Sequence, residues 1–103
     1  MGGPAGDVRR EVIAYMNRRE RFKFIAASHV ARDLGRSSKG GRRMVREDLD
    51  LLAAEGLVRT RIKYAANKYG QSYDVEMYAR FAPKISEDAG VPQAYRRNGD
   101  PQD

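Results

Sequence analysis

The amino-acid sequence predicts an α+β domain with three helices, a short strand after the first helix, and a C-terminal two-stranded β-hairpin. Apolar residues recur at helical spacing in three separate segments before Gly56. After Gly56 the pattern changes to alternation, which is typical of half-buried strands. The length of 103 residues suits one small domain, because chains divide into separate cores only when they are much longer.

Composition divides the chain into three parts. We expect a flexible N-terminus over residues 1–6, a folded domain over residues 7–81, and a poorly ordered C-terminal tail over residues 82–103. The tail contains three of the four prolines and shows little apolar periodicity, and both features are typical of disordered segments.

The first helix is expected to start at Asp7, whose side-chain oxygen can accept hydrogen bonds from the first helical N–H groups. Its end is expected between Asn17 and Arg21. The short segment Phe22–Ile25 then alternates and favours a strand. One apolar face of this helix is formed by Val8, Val12, Ile13 and Met16.

Two further helices are predicted before the hairpin. Ser28 is expected to cap a short second helix that ends at Gly35. A polar turn over Arg36–Gly41 follows, and the third helix runs to about Glu55 and ends at Gly56. The apolar residues of the third helix lie at i, i+4 and i+7, and they are Val45, Leu49 and Leu52.

The hairpin is predicted as two strands, over residues 57–64 and 73–81, joined by a loop over residues 65–72. In each strand every second residue is expected to face the core. These residues are Val58, Thr60, Ile62 and Tyr64 in the first strand, and Tyr73, Val75, Met77, Ala79 and Phe81 in the second. The whole predicted core is Val12, Met16, Ile25, Val30, Leu34, Val45, Leu49, Leu52, Val58, Ile62, Val75 and Met77.

The charge balance favours a polyanion as partner. The chain has 20 Lys and Arg against 14 Asp and Glu, for a formal net charge of +6. Residues 36–68 alone hold nine basic and four acidic side chains, which gives this third a charge of +5. Net charge informs about association rather than about fold, so nucleic acid is a hypothesis that the motifs must support.

Other functional classes are disfavoured. Cysteine is absent, which excludes disulfides, thiolate metal sites and thiol nucleophiles. The longest stretch without a charged residue, Phe24–Ala31, is far shorter than the roughly 18–20 residues that a membrane span requires. The first residues lack the basic and apolar regions of a signal peptide. We therefore expect a cytoplasmic protein without membrane contact.

Candidate catalytic and metal-binding groups are few. His29 is the only histidine and is expected to be a surface or helix-cap residue. Glu47, Asp48 and Asp50 lie close in sequence, but without a metal-ligand pattern we interpret them as solvent-facing helix residues. The sequence therefore predicts no enzyme, no metal site and no cofactor.

Two segments resemble the winged helix-turn-helix family, which includes small bacterial and archaeal regulators. Ala27–Gly35 is similar to the second helix and turn of that family, and Met44–Val58 is similar to its recognition helix running into the wing. The resemblance covers roughly residues 7–81 and depends mainly on the order of the elements. It implies a nucleoid-associated domain that binds double-stranded DNA, as transcriptional regulators do, with the third helix in the major groove and the hairpin on the flanking backbone.

The third helix supplies the first set of candidate DNA contacts. Four basic residues form one stripe on the N-terminal half of this helix, provided that the helix already includes Lys39. These residues are Lys39, Arg42, Arg43 and Arg46. Arginine can bind guanine O6 and N7 with two hydrogen bonds in the major groove, although Glu47 can pair with Arg43 at i+4. The interval from Gly35 to Gly56 is longer than in many family members, so either the turn is long or the third helix gains a turn.

The hairpin supplies the second set. Its strand residues Arg59, Arg61 and Lys63 share a face, and a wing delivers such residues to phosphates or into the minor groove. We expect Asp74 and Glu76 to lie on the same face and to neutralise part of this charge. The complete predicted DNA-contacting set is Ser38, Lys39, Arg42, Arg43, Arg46, Arg59, Arg61, Lys63, Asn67, Lys68 and Tyr69.

Two alternatives to DNA binding stay open at this point. A winged helix can bind an acidic protein partner instead of DNA, or it can bind RNA or single strands, as ribosome-associated proteins do. Exposed tyrosines that stack on unpaired bases would support binding of RNA or single strands. Tyr64 and Tyr73 are in phase with the core, so Tyr69 is the remaining candidate for such stacking. A homodimer on a palindromic site is compatible with the sequence, although no long coiled-coil seam demands it.

Overall fold

The computed structural model describes residues 4–87 and residue 89. It contains three helices and a three-stranded antiparallel sheet, so the predicted α+β class is confirmed. Within these ranges no helix is long and apolar enough to cross a membrane. The elements in chain order are α1 (Pro4–Arg18), β1 (Ile25–Ala26), α2 (Ala27–Asp33), α3 (Lys39–Ala54), β2 (Val58–Ala66) and β3 (Ser72–Arg80).

Two predicted helix starts are wrong. Helix α1 begins at Pro4, which suits the first turn because proline lacks the N–H that would have no partner there. Asp7 therefore lies inside the helix, and residues 4–6, expected in a flexible N-terminus, are helical. Helix α2 continues directly from β1, so the extended backbone of Ala26 forms its N-cap and Ser28 lies within the first turn.

The predicted helix ends at Gly35 and Gly56 are confirmed. Both glycines have positive φ, 73° and 78°, which an L side chain rarely adopts. Beyond each glycine the next N–H turns back onto the helix: Arg36 N donates to Ala31 O at 2.8 Å, and Leu57 N donates to Leu52 O at 3.1 Å. This arrangement satisfies carbonyls that a helix end otherwise leaves without partners.

The core lies between the three helices and the base of the hairpin. Most of the predicted core is confirmed, and Leu34 packs against it as a half-buried residue. Ile62 is 50% exposed, and Val75 and Met77 are half-buried, so their assignment to the core is wrong. The buried apolar residues are Val8, Val12, Ile13, Met16, Ile25, Ala26, Ala27, Val30, Ala31, Val45, Leu49, Leu52, Val58, Tyr78, Ala79, Ile85 and Ala89.

The sheet has the strand order β1-β3-β2, with Val58 opposite Arg80 and Thr60 opposite Tyr78. Directly opposed residues share a face of the sheet, so these four residues lie on one face. Tyr78 and Arg80 contact helices from that face. Tyr78 lies against Asp50 of α3, and Arg80 Nε donates to the Met16 carbonyl of α1 at 3.0 Å. We call this the helix side of the sheet and the opposite face the outer side.

The predicted phase of β3 is therefore reversed. The residues of β3 expected in the core lie on the outer side, together with Arg59, Arg61 and Lys63 of β2, although Ala79 is buried there. Tyr78 and Arg80, expected on the outer side, are buried against the helices. Strands of nine residues extend about 30 Å, so the distal half of the hairpin passes beyond the helices.

Part of the expected tail is packed onto α1. Asn17 brackets Ile85, donating from Nδ2 to its carbonyl at 3.0 Å and accepting at Oδ1 from its N–H at 2.8 Å. The Ile85 side chain is buried, and Arg9 donates to the carbonyls of Glu87 and Ala89. The tail begins as ordered structure here, and its remaining residues, 88 and 90–103, lie outside the described residues.

Candidate nucleic-acid interface

Helix α3 begins with the basic residues themselves. Ser38 is its N-cap, and the Ser38 hydroxyl accepts a hydrogen bond from Gly41 N at 3.1 Å. The helix starts at Lys39 and has 16 residues, so it occupies most of the interval between Gly35 and Gly56. The condition for a single basic stripe on the N-terminal half of α3 is therefore met.

The start of α3 is fixed against the turn that precedes it. A Cβ atom at Gly41 would collide with the carbonyl oxygen of Arg36, so the backbones approach as closely as glycine allows. The Arg36 guanidinium in turn makes hydrogen bonds of 2.7 and 2.9 Å to the Glu11 carboxylate of α1. The basic end of α3 is thus held by α1 and by the α2–α3 turn.

The four basic side chains of the stripe converge on one shallow cleft between α2 and α3. The cleft has a volume of about 340 Å³. Its lining consists of Ala27, Ser28, Lys39, Arg42, Arg43 and Arg46. Arg43 lies 3.8 Å from the Glu47 carboxylate, as predicted, in a pair that is largely exposed. Among the described residues, the other three cations of the cleft form no ion pair.

A buried tyrosine joins α3 to the sheet below this stripe. The Tyr78 hydroxyl lies 2.6 Å from Asp50 Oδ1 of α3 and 3.0 Å from Glu76 Oε1 of β3. It can donate its single proton to one of these carboxylates at a time. Burial and the two carboxylate neighbours raise the pKa of the Tyr78 hydroxyl far above its usual value. The tyrosine therefore stays protonated and keeps α3 attached to the sheet.

The expectation that three acidic residues of α3 face solvent is confirmed for Glu47 and Asp50, which are exposed, and is wrong for Asp48. Asp48 is half-buried, and burial raises its pKa to about 6, against an opposing effect of Arg9. Asp50 accepts the tyrosine hydrogen bond. In the described part of the chain, no group of three or more acidic or histidine side chains is arranged to hold a metal ion.

The hairpin loop is held by Asn67. Its Oδ1 accepts hydrogen bonds from the N–H groups of Tyr69 and Gln71, at 2.8 and 3.0 Å, and its Nδ2 donates to Gln71 Oε1 at 2.9 Å. These bonds engage the polar atoms that were expected to contact DNA. Lys68 and Tyr69 remain exposed at the tip, with the ammonium 5.3 Å from the ring centroid.

The strand cations Arg59, Arg61 and Lys63 lie apart from the stripe on α3. They stand opposite Ala79, Met77 and Val75 on the outer side of the sheet. Asp74 and Glu76 stand opposite Tyr64 and Ile62 on the helix side. The prediction that Asp74 and Glu76 neutralise the strand cations is wrong. That prediction requires the acidic and basic residues to share a face, and the observed register differs by one residue, which places them on opposite faces.

Two tyrosines expected in the core are exposed instead. Tyr64 is 77% exposed and Tyr73 is 49% exposed, because the distal hairpin has no helix beside it. Tyr69, the only tyrosine predicted to be available, is 74% exposed. Aromatic surface therefore extends along both faces and the tip of the hairpin.

The structure brings together four of the predicted contact residues, those of the cleft, and separates them from the outer-side cations and the loop. Sequence reasoning missed Ser28, which lines the cleft but was interpreted as a helix cap. It also missed Arg21, which lies in a loop without periodicity and has its guanidinium 6.0 Å from the centroid of the Phe81 ring. A comparison of the chain with protein-family models, curated protein sequences and solved structures finds no match.

Proposed function

We propose that this chain is a winged helix-turn-helix domain that binds double-stranded DNA and acts as a transcriptional regulator. The N-terminal half of α3 enters the major groove, and the tip of the hairpin contacts the flanking backbone. The cleft between α2 and α3 carries this proposal, because four cations converge there on the N-terminal half of α3.

The side chains of the cleft suit a duplex. Lys39, Arg42 and Arg46 form no ion pair among the described residues, so their charge is available to phosphates and to guanine edges. Ser28 adds a hydroxyl from the first turn of α2, the helix that crosses the DNA backbone in helix-turn-helix proteins. Base contacts and backbone contacts can therefore form together.

We assign the strand cations of the hairpin no role in binding this duplex. Arg59, Arg61 and Lys63 lie on the side of the sheet opposite to the one on which α3 packs, which favours contacts elsewhere. Lys68 at the exposed tip is the hairpin cation that can reach the flanking phosphates.

Binding of single strands is the second candidate function. The exposure of Tyr64, Tyr69 and Tyr73 favours it, because aromatic rings that stack on unpaired bases contribute about 1–3 kcal/mol per base. Two of these tyrosines lie on opposite faces of the hairpin, which makes one continuous stacking platform difficult.

A competition experiment separates the two functions. Fluorescence anisotropy of a labelled random-sequence duplex is measured at about 50 mM salt, and binding is expected to weaken with salt by a slope of about −0.9 per phosphate contacted. Unlabelled duplex should compete better than single strands or hairpin RNA of equal length. Stronger competition by single strands would favour the second function, and absence of binding to every probe would contradict both.

A selection from random duplexes then tests the regulatory role. Enrichment of one motif supports a regulator, and a palindromic motif indicates that two copies bind together. Tight binding without enrichment contradicts sequence-specific regulation and indicates an architectural protein.

A further inference from the structure

We propose that the outer side of the sheet binds the phosphate backbone of a second DNA duplex, so that one copy of the chain bridges two duplexes. This inference rests on the proposed function, since it takes the cleft of α3 as the site of the first duplex. The second site is a cluster of arginine and phenylalanine residues at the base of the hairpin. We call it the outer cluster, and its members are Arg21, Phe22, Phe24, Arg59, Arg61 and Phe81.

The outer cluster and the cleft are on opposite sides of the sheet. Tyr78 faces α3 and donates a hydrogen bond to Asp50. Asp50 lies on the same side of α3 as Arg43 and Arg46, because the three residues are spaced i, i+3 and i+7. Arg59 and Arg61 alternate with the residues on that side, standing opposite Ala79 and Met77. A rigid duplex that lies against α3 therefore cannot also lie against the outer cluster.

The arginines of the outer cluster are held by aromatic rings. The Arg59 guanidinium lies 4.1 Å from the centroid of the Phe81 ring, and Arg61 lies 5.2 Å from that of Phe24. Arg21 lies 4.9 Å from the Phe22 ring and donates two hydrogen bonds to the Phe81 carbonyl, at 2.9 and 2.6 Å. These contacts restrict long side chains that would otherwise be mobile, which lowers the entropy cost of binding.

The positive charge of the outer cluster is not compensated. Arg21 and Arg59 approach the same ring, that of Phe81, at 6.0 and 4.1 Å. In the part of the chain that the structure describes, no carboxylate forms an ion pair with Arg21, Arg59 or Arg61. Guanidinium groups without a carboxylate partner favour an anion beside them.

Phosphate is the anion that this geometry fits. A guanidinium that stacks on a ring keeps its N–H donors in the plane of the group, where they can bind two phosphate oxygens at once. Lys63 extends the positive face by two residues along β2, and its cross-strand neighbour Val75 carries no charge. The spacing of alternate strand residues, about 6.6–6.8 Å, is close to that of successive phosphates along one DNA strand.

The backbone before β1 keeps the aromatic part of the outer cluster in place. Phe22 has a positive φ of 67°, which is rare for a bulky residue. Its N–H donates to the Arg80 carbonyl at 2.9 Å, and its ring packs edge-on against Phe81 at 5.6 Å between centroids. The ring is nevertheless 56% exposed, so the cluster faces solvent.

A bridging assay tests the proposal. One random-sequence duplex is immobilised on beads and saturated with the protein, and recovery of a second, fluorescent duplex is measured. The wild-type chain should recover the second duplex. The variant Arg59→Gln/Arg61→Gln should bind a single duplex in solution with affinity within about threefold of wild type, yet recover at least about tenfold less of the second duplex.

Two further variants make the assay specific. Lys63→Glu changes only an exposed strand residue and should also reduce bridging, so it replaces the double variant if that one fails to fold by circular dichroism. Arg10→Gln/Arg18→Gln removes the same charge from exposed positions on α1 and should bridge as wild type does.

Each contrary result has a distinct meaning. If the wild-type chain binds the immobilised duplex but recovers no second duplex, the bridging site is contradicted and the proposed function is not. Undiminished bridging by the folded outer-cluster variants would also contradict it, and would indicate pairing between copies of the chain. Loss of single-duplex binding in those variants would show that the outer cluster is the first site. A wild-type chain that binds no duplex would contradict both proposals.

Discussion

The Arg36 guanidinium binds the Glu11 carboxylate through two hydrogen bonds of 2.7 and 2.9 Å, and this contact joins the turn before α3 to the first helix. Because Gly41 of α3 packs directly on the backbone of Arg36, the contact also fixes where the basic stripe begins. The position of the candidate DNA-binding helix therefore depends on a polar contact that lies outside the candidate interface.

The variant Glu11→Gln tests this contact. The hydrogen bonds from Arg36 lower the pKa of Glu11 below its usual value of 4.5, so the contact stabilises the fold above that pH and is lost as the pH falls through the lowered pKa. We expect the variant to lower the free energy of unfolding by about 1 kcal/mol at pH 7, a size typical of a partly exposed ion pair. Urea unfolding at pH 7 and at pH 3 measures this difference, which should shrink at the lower pH.

A matched control is Glu20→Gln. Glu20 lies 4.0 Å from Lys23 and its side chain is 79% exposed. Its replacement should change stability by less than about 0.5 kcal/mol at either pH. An equal effect of the two variants would show that the Arg36–Glu11 contact contributes nothing specific.

The half-buried Asp48 should destabilise the fold when it is ionised. Burial raises its pKa from 3.8 to about 6, so the folded chain retains a proton that the unfolded chain releases between these values. The contribution of this proton to the free energy of unfolding is fully present below about pH 4 and is lost as the pH rises through 6. Asp48→Asn should therefore stabilise the protein at pH 7 and have little effect near pH 3.5.

Urea unfolding across this pH range measures the effect, with Asp74→Asn as the control. Asp74 is exposed on the distal hairpin, and its replacement should not reproduce the pH dependence. A stabilisation by Asp48→Asn that is the same at pH 3.5 and pH 7 would contradict the burial of the charged form.

Adjacent glycines in α3 should respond oppositely to alanine. Gly41→Ala forces the helix away from the Arg36 carbonyl and should lower the free energy of unfolding by roughly 1–3 kcal/mol, as overpacking does. Gly40→Ala meets no atom within 4 Å and should be neutral or stabilising by up to about 1 kcal/mol, because alanine favours helix. Thermal unfolding of both variants checks this, and equal effects would mean that α3 does not approach the turn so closely.

The buried Arg80 should be the most sensitive charged residue. Its guanidinium donates to the carbonyls of Met16, Arg19 and Ala82, at 3.0, 2.6 and 2.9 Å, and also to the carbonyl of Pro83. Each buried polar group left without a partner costs about 1–3 kcal/mol, so Arg80→Met should destabilise the fold by at least about 3 kcal/mol. Denaturant unfolding tests this against Arg18→Met, at an exposed position, which should change stability little.

The helical part of the fold could be predicted from the sequence because its signals are local. Gly35 and Gly56 end helices through a backbone conformation that favours glycine, and the spacing of Val45, Leu49 and Leu52 defines one buried face. The basic stripe follows from the same spacing. Its start at Lys39 could not be decided, because it depends on the packing of Gly41 against Arg36.

The hairpin could be predicted only in part. Alternation shows which residues of one strand share a face, but it does not show which face the helices cover or how the strands align. The alignment is set by the loop that Asn67 holds, and a change of one residue exchanges the faces, so the positions of Asp74 and Tyr78 were misassigned. The burial of Arg80 could not be predicted, because arginine is rarely buried. Here four backbone carbonyls accept hydrogen bonds from its guanidinium.

The most direct test of the DNA-binding proposal is the salt dependence of duplex affinity for wild type, Arg42→Ala/Arg46→Ala and the control Arg10→Ala/Arg18→Ala. All three should be folded by circular dichroism, because the four arginines are exposed. The Arg42/Arg46 variant should bind at least about tenfold more weakly at low salt, with a log–log slope shallower by up to about 1.8, while the control should match wild type closely. A folded Arg42/Arg46 variant with wild-type affinity and slope would contradict the assignment of α3 as the DNA-binding helix.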